Sequence, residues 1–298
     1  MASSKQAFGL SCALATPFLA SGEVDHARMI THARDCLSEG CDSVTLFGTT
    51  GEGASFGFAE RAATIAAFKA AGFDARRSLV GGVASSSLPD AVEHCRQLYD
   101  ADFKAVLLAP PFYFKNPSDD GLFAWFAGLF EKLGDRARDV ILYNIPSVTA
   151  VALSVDLIRR LRMVFPGVIA GVKDSSGDWP YTEKLLEAHS DIAILIGDER
   201  HLAHGVRLGA EGAISGLANI MAPRLLPLAT KGIDDPRIAQ LVDAVLKYPV
   251  VPAVKVLIAA KRGDLAWREA RAPLASMKAA DAERLLGVFS SLFVEKAA

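Results

Sequence analysis

The sequence predicts an α/β fold, a (β/α)8 TIM barrel with a C-terminal helical extension, from two repeating patterns. Eight short apolar runs, most of them ending at Gly, Pro, Asn, Asp or Ser, alternate with segments of helical spacing in the first three quarters of the chain. This alternation predicts a parallel sheet, and eight such units with apolar strands predict a closed barrel. The alternative is an open doubly wound sheet, but the first turn is ATPF and no GxGxxG follows it.

The elements follow from these patterns in chain order. The predicted strands occupy residues 9–15, 43–47, 78–83, 105–108, 140–145, 168–173, 192–196 and 212–215. The predicted helices between them occupy residues 26–38, 59–71, 88–99, 120–133, 154–164, 181–189 and 199–208. Four of these helices follow a side chain suited to capping a helix N-terminus, namely Asp25, Ser87, Ser118 and Ser154.

After Met221 the pattern changes to helices alone, broken by Pro and Gly. These helices are predicted at residues 222–230, 235–246, 253–261, 265–272 and 279–293. The first of them closes the barrel in this interpretation. We therefore expect a barrel over residues 1–225 and a C-terminal helical region packed on it over residues 226–298.

The composition excludes several classes of protein. The chain has 298 residues, 51% hydrophobic and 22% charged, with a formal net charge of -2. No basic patch stands out, so neither nucleic acid nor an anionic membrane is an expected partner. We find no apolar stretch long enough to span a bilayer and no signal-peptide core near the first residue. The four cysteines form no CxxC pair, which favours reduced thiols in a cytoplasmic protein.

One lysine, Lys173, ends the sixth predicted strand. A lysine at the end of a buried strand is costly unless it is paired or used. Desolvation disfavours its ammonium form and so exposes a nucleophilic amine. The alternative is a structural lysine that reaches solvent or pairs with the neighbouring Asp174.

The turn after the second strand, GTTGEG at residues 48–53, carries two adjacent hydroxyls, Thr49 and Thr50, beside Gly48. Glycines let backbone N–H groups point at an anion, and the turn lacks the Lys-Ser/Thr pair of a Walker A loop. It therefore favours a small carboxylate over a triphosphate. The alternative is a purely structural turn.

Tyr143 lies on the fifth predicted strand, next to the strand of Lys173. A strand tyrosine alone is commonly a core residue. Together with Lys173 and the two threonines, however, it adds a proton shuttle to a nucleophile and a carboxylate site. This set suits Schiff-base chemistry on a 2-oxo acid. A metal is not expected, because the HxxH pair His201 and His204 has no evident third ligand.

Three motifs, GTTGE at 48–52, YNIPS at 143–147 and GVKDSSG at 171–177, occur on the second, fifth and sixth predicted strands. With GDE at 197–199 and GAISGLAN at 212–219, they make the chain similar to the dihydrodipicolinate synthase / N-acetylneuraminate lyase family over essentially its whole length. The resemblance implies a class I, metal-independent lyase or aldolase without a cofactor. It also implies pyruvate or a related 2-oxo acid and an aldehyde as substrates, and a homotetramer built as a dimer of dimers.

The resemblance further implies a role for each matching residue. Lys173 matches the imine-forming lysine, Tyr143 the general acid/base, and Thr49 the hydroxyl that relays protons. Thr50 matches the partner that holds the substrate carboxylate. Tyr113, in the aromatic loop PPFYFKNP at 110–117, matches a tyrosine that reaches into the neighbouring subunit's site. The other predicted substrate contacts are Gly48, Gly197, Glu199, Ile214, Ser215 and Val148.

Val148 departs from the synthases of this family, which carry an arginine soon after the YN-x-P-S motif for a substrate carboxylate. Losing a charge-assisted bond of that kind costs about 1.5–3 kcal/mol. Lys115 is the candidate replacement. The second substrate therefore stays open among aspartate semialdehyde, a sugar aldehyde and a dehydratable keto-deoxy acid. Glu199, Ser215 and Thr149 are candidate partners for sugar hydroxyls.

Two alternatives belong to other classes of function. The first is a non-catalytic protein that senses a 2-oxo acid, and the joint presence of Lys173, Tyr143 and Thr49 argues against it. The second is a cofactor-dependent barrel, which the absence of metal-ligand spacing and of a phosphate loop disfavours.

Overall fold

The computed structural model describes residues 7–293, and within this range eight parallel strands form a closed barrel in chain order. The strands are β1 (Gly9–Ala13), β2 (Ser43–Leu46), β3 (Leu79–Val83), β4 (Ala105–Leu108), β5 (Val140–Asn144), β6 (Ile169–Asp174), β7 (Ala193–Ile196) and β8 (Gly212–Ser215). Strand β1 pairs with both β2 and β8, which closes the barrel. The predicted fold class is confirmed, while the ends of the predicted regions, residues 1–6 and 294–298, lie outside the described residues.

Helices follow the strands on the outside of the barrel. They are α1 (His26–Ser38), α2 (Phe58–Ala70), α3 (Ala75–Ser78), α4 (Leu88–Asp100), α5 (Asp119–Leu133), α6 (Pro146–Thr149), α7 (Val155–Val164), α8 (Trp179–Ala188), α9 (Glu199–Arg207), α10 (Ala218–Lys231), α11 (Pro236–Val245), α12 (Val250–Arg262) and α13 (Ala279–Phe293). All four predicted N-caps are confirmed, since each side chain accepts a bond from a backbone N–H of the following turn. The short helices α3 and α6 were not predicted. None of the helices between residues 7 and 293 is long and apolar enough to cross a membrane.

Side chains on the strands divide between two cores because successive residues point to opposite faces of a sheet. One set fills the barrel interior and includes Leu107, Ile141, Leu195 and Ile214. The other set packs outward against the helices and forms the larger cluster. This alternation sends Tyr143 to the interior face of β5, and the parallel register places it beside Lys173 of β6.

One asparagine, Asn219, joins the first and last strands of the barrel. Its Nδ2 donates to the carbonyl oxygens of Ala13 (2.8 Å) and Gly216 (2.8 Å). Its Oδ1 accepts from the backbone N–H of Ala15 at 3.0 Å and lies 3.0 Å from His32 Nε2. The side chain is fully buried, so these bonds replace all of its hydration.

The chain after β8 differs from the prediction at two points. Helix α10 starts before the predicted residue 222 and is kinked at Met221, two residues before Pro223. The predicted helix over 265–272 is wrong, because only a 3-10 turn, Leu265–Arg268, forms there. Residues 269–272 leave the helical path for two reasons. Their backbone bonds to side chains elsewhere, and Ala272 precedes Pro273, a position that disfavours helix.

Candidate active site

The centre of the site is a chain of three polar side chains at the carboxyl ends of the strands. Lys173 Nζ donates to the Tyr143 hydroxyl at 3.3 Å, and its nitrogen lies 4.3 Å from the centroid of that ring. The Tyr143 hydroxyl is in turn 3.4 Å from Thr49 Oγ1. Lys173 and Tyr143 are buried, whereas Thr49 is exposed at the barrel mouth. The three residues predicted to work together therefore form one continuous chain of hydrogen-bonding groups, which we call the relay.

The strand end that carries Lys173 is fixed by the next residue. The carboxylate of Asp174 accepts from Asn144 Nδ2 at 2.9 Å, from Thr182 Oγ1 at 2.6 Å and from the backbone N–H of Ser176 at 3.1 Å. These partners account for the buried charge of Asp174. Lys173 is thus left to bond with Tyr143, and with 5% of its surface exposed it does not extend into solvent.

The GTTGEG turn is a compact loop in which the backbone crosses itself closely. A Cβ added at Gly53 would lie 1.8 Å from the carbonyl oxygen of Phe47, so only glycine fits there. The hydroxyl of Thr16, which follows β1, donates to the carbonyl oxygen of Gly51 at 2.7 Å. Thr50 is buried, and its Oγ1 faces Gly216. Contacts with residues that follow β1 and β8 thereby fix this turn at the barrel mouth.

A buried ion pair supports this turn from the C-terminal region. Glu52 is paired with Lys255 of α12, and neither side chain has any exposed surface. Lys255 Nζ also donates to the carbonyl oxygen of Glu269 at 2.6 Å, and Glu52 Oε2 accepts from the backbone N–H of Arg271 at 2.9 Å. Burial lowers the pKa of Lys255 from its ordinary value, and the Glu52 carboxylate opposes that shift.

The sequence interpretation missed this supporting pair, although one signal was available. Lys255 stands inside the apolar run VVPAVKVLIAA, and a lysine on the buried face of a helix needs a partner. The identity of that partner was not visible, because Glu52 lies about two hundred residues earlier in the chain.

Gly197, Glu199, Ile214 and Ser215 lie at the ends of β7 and β8. A Cβ at Gly197 would lie 1.9 Å from Ser175 Oγ, so glycine permits a close approach of the loop that follows Lys173. Ile214 faces the barrel interior. Ser215 Oγ donates to Glu199 Oε1 at 2.5 Å. Burial raises the pKa of Glu199, and the bond from Ser215 opposes that rise.

A cavity of about 460 Å³ opens next to the relay and is lined by Tyr143 and Thr49. Lys173 is not among its lining residues and lies behind Tyr143 in the chain of hydrogen bonds. The remaining walls are mostly apolar side chains from strands, loops and helices, including Leu107, Ala109, Phe112, Ile145, Val148 and Val251. Its size suits a small-molecule site.

The aromatic loop after β4 lies beside this cavity without completing the relay. Tyr113 is 73% exposed and Phe114 is 78% exposed, and their rings pack edge to face. The backbone N–H groups of Phe112 and Tyr113 both donate to Ser86 Oγ, which fixes the start of the loop. Within this chain, Tyr113 is therefore a surface residue and not a member of the buried pair formed by Lys173 and Tyr143.

Two other features carry no catalytic arrangement. His201 and His204 pack against the Trp179 ring, and residues 7–293 contain no cluster of three or more His, Cys, Asp or Glu side chains that could hold a metal ion. A larger cavity of about 950 Å³ lies at the amino ends of the strands and is lined by Phe8, Lys104 and other residues. In barrels of this type, active sites form at the opposite end.

Comparison with protein families identifies a match over residues 6–288 to the model of the dihydrodipicolinate synthetase family. A solved structure of dihydrodipicolinate synthase from Agrobacterium tumefaciens superposes with a TM-score of 0.94 at 55% identity. That alignment covers 96% of this chain and 99% of the other.

Two curated relatives match at lower identity. The 4-hydroxy-tetrahydrodipicolinate synthase 1 of Streptomyces coelicolor is 32% identical over 254 residues, covering 85% of this chain and 80% of the relative. An uncharacterized DapA-like lyase of Chloroflexus aurantiacus is 34% identical over 212 residues, covering 71% of this chain and 70% of the relative.

Proposed function

Because this chain belongs to the dihydrodipicolinate synthetase family of pyruvate-dependent lyases, we propose that it acts through an imine between Lys173 and a 2-oxo acid such as pyruvate. The observation that carries the proposal is the relay from Lys173 Nζ through the Tyr143 hydroxyl to Thr49 Oγ1, with steps of 3.3 and 3.4 Å. A nucleophile and a proton carrier within hydrogen-bond reach of one another are what imine formation requires.

The steps of the proposed reaction use these three groups in order. The neutral amine of Lys173 attacks the C2 carbonyl, and the oxygen leaves as water after protonation through Tyr143. The resulting imine withdraws electrons, so a proton can leave C3, or the C3–C4 bond of a larger substrate can break. Thr49, exposed at the barrel mouth, connects Tyr143 to solvent. Neither a metal nor a further cofactor takes part in this scheme.

The remaining predicted residues have positioning roles in this proposal. Thr50 and the backbone around Gly48 hold the carboxylate of the 2-oxo acid, because the GTTGEG turn places both at the barrel mouth. Gly197 and Ile214 form the surface against which the imine lies. The Glu52–Lys255 pair fixes the position of the turn relative to α12.

Assembly is a further part of the proposal. We expect a homotetramer, a dimer of dimers in which Tyr113 reaches the site of a neighbouring subunit. Its exposed ring, together with that of Phe114, supports this role. Light scattering should give a mass near four times 31.7 kDa. Residues 226–298 form the C-terminal helical region of each barrel in the same proposal, and helices α11, α12 and α13 contact one another there.

Borohydride reduction with pyruvate tests the imine directly. We expect a pyruvate-derived adduct on the peptide that contains Lys173, and no adduct in Lys173→Ala. Lys69→Ala is the matched control, because Lys69 is exposed on α2 and its removal should leave trapping unchanged. Pyruvate binding without an adduct would indicate a 2-oxo acid sensor and would overturn the proposed mechanism.

A further inference from the structure

We infer that the aldehyde used by this site is neutral and apolar, neither a carboxylate nor a polyol. The inference rests on the proposed function, because it concerns the partner of a pyruvate enamine on Lys173. Its basis is the cavity of about 460 Å³ that adjoins Tyr143 and Thr49. This cavity is the space next to the relay in which an incoming aldehyde would lie.

The walls of the cavity offer apolar surface where a second substrate would sit. Ile145 follows β5 and Val148 lies in α6. Leu107 and Phe112 come from β4 and the loop after it, and Val251 comes from α12. Val148 is 60% exposed, and an apolar side chain therefore stands on this wall. Apolar walls favour an apolar chain and disfavour a charged group that finds no partner.

The polar side chains that line the cavity are mostly engaged already. Thr49 and Tyr143 belong to the relay, and Glu52 is paired with Lys255. The hydroxyl of Thr149 donates to the carbonyl oxygens of the surrounding loop at 3.0 and 2.9 Å. Ser55 is the remaining hydroxyl among the lining residues.

Cations near the cavity are also engaged and do not line it. Lys115 donates to the carbonyl oxygens of Phe112 and Thr149. Arg271 donates to both carboxylate oxygens of Glu60 at 2.7 and 2.6 Å. A carboxylate on the aldehyde would therefore enter a space whose lining contains neither lysine nor arginine.

A polyol tail would also find few polar partners in this cavity. Glu199 and Ser215, predicted to bind sugar hydroxyls, bond to each other and do not line this cavity. Thr149, the third predicted partner, has its hydroxyl satisfied by backbone. Hydroxyl groups that lose water without gaining partners reduce affinity, so a sugar aldehyde is disfavoured.

The reaction with such an aldehyde balances without a further reactant. The enamine carbon forms a bond to the aldehyde carbon, and the aldehyde oxygen takes a proton and becomes a hydroxyl. Addition leaves an iminium between C2 and the lysine nitrogen. Water then hydrolyses the C2–N bond, and the nitrogen regains the electron pair that the enamine donated. Lys173 is released as the amine, and the product is a 4-hydroxy-2-oxo acid with an apolar tail.

Three aldehydes of four carbons each represent the apolar, carboxylate and polyol classes of substrate, namely butanal, 4-oxobutanoate and erythrose. With pyruvate as donor, we expect kcat/KM for butanal to exceed that of each of the others by at least about tenfold. Aspartate semialdehyde should behave like 4-oxobutanoate. Val148→Arg should raise the kcat/KM for 4-oxobutanoate relative to that for butanal by about tenfold or more. Val148→Thr, a matched uncharged variant, should leave this ratio of kcat/KM values unchanged.

The adduct experiment and the aldehyde comparison distinguish failure of the proposed function from failure of the apolar-aldehyde inference. A missing pyruvate adduct on Lys173 would defeat the proposed function itself. An adduct together with a preference for 4-oxobutanoate, for erythrose or for none of the three would leave that function standing and overturn the inference. If 4-oxobutanoate is preferred and Lys115→Met removes the preference, Lys115 is the carboxylate anchor and the apolar assignment is wrong.

Discussion

Replacing Lys255 with methionine tests whether the C-terminal region supports the threonine turn. Methionine is an apolar side chain of similar length, and the Phe18 ring centroid lies 4.4 Å from the lysine nitrogen that it replaces. The substitution leaves Glu52 buried without its counter-charge. Removing one member of a buried ion pair typically costs about 3–5 kcal/mol. Both side chains have no exposed surface, so we expect a loss within that range.

The assay is urea denaturation followed by circular dichroism, with the change in stability taken from the midpoint at constant slope. The double variant Glu52→Gln/Lys255→Met supplies the control, because it removes the orphaned charge as well. It should recover at least about 1–2 kcal/mol relative to Lys255→Met alone. A single variant within about 1 kcal/mol of the parent protein, or a double variant as unstable as the sum of the two single ones, would refute the reasoning.

Three more predictions follow from the described geometry. Tyr143→Phe should lower turnover by about 10²–10⁴-fold while borohydride still traps some pyruvate, and full turnover would contradict the relay. Gly197→Ala places a Cβ 1.9 Å from Ser175 Oγ and should lower the free energy of unfolding, measured by urea denaturation, by about 1–3 kcal/mol. Gly57→Ala, where no atom beyond the chain neighbours lies within 4 Å of the added Cβ, should lower it far less. Burial lowers the pKa of His94 from 6.5 to about 4, so unfolding takes up a proton between these values. Stability should therefore fall as pH drops from about 6.5 to about 4, and His94→Gln should flatten that dependence in denaturation measured across this range.

The relay was predictable from sequence because the topology does most of the positioning. Thr49, Tyr143 and Lys173 are separated by 94 and then 30 residues, yet each stands at the end of an apolar run. Parallel strands bring all their carboxyl ends to one side of the barrel. Recognising the runs was therefore enough to collect these three side chains, and the register of β5 and β6 then sets the distance.

Side-chain partners could not be predicted in the same way. Thr149 and Ser215 were assigned to a sugar, but their hydroxyls bond within the protein. Which hydroxyl is free depends on backbone groups brought close by turns, and residue type does not reveal that. The wrong helix over 265–272 has the same origin, because the backbone of Glu269 and Arg271 completes the Lys255–Glu52 pair instead of continuing a helix.

The asparagine that joins the ends of the barrel also bears on the order in which the chain folds. The bond from Asn219 to Ala13 spans 206 residues, whereas β2 to β8 each pair with the strand of the preceding βα unit. Closing the longer loop loses more chain entropy, so pairing of β1 with β8 is expected late on the folding pathway. We therefore expect the barrel to stay an open sheet during synthesis until Asn219 emerges, with its edges at β1 and β8 the surfaces most prone to pair with another chain.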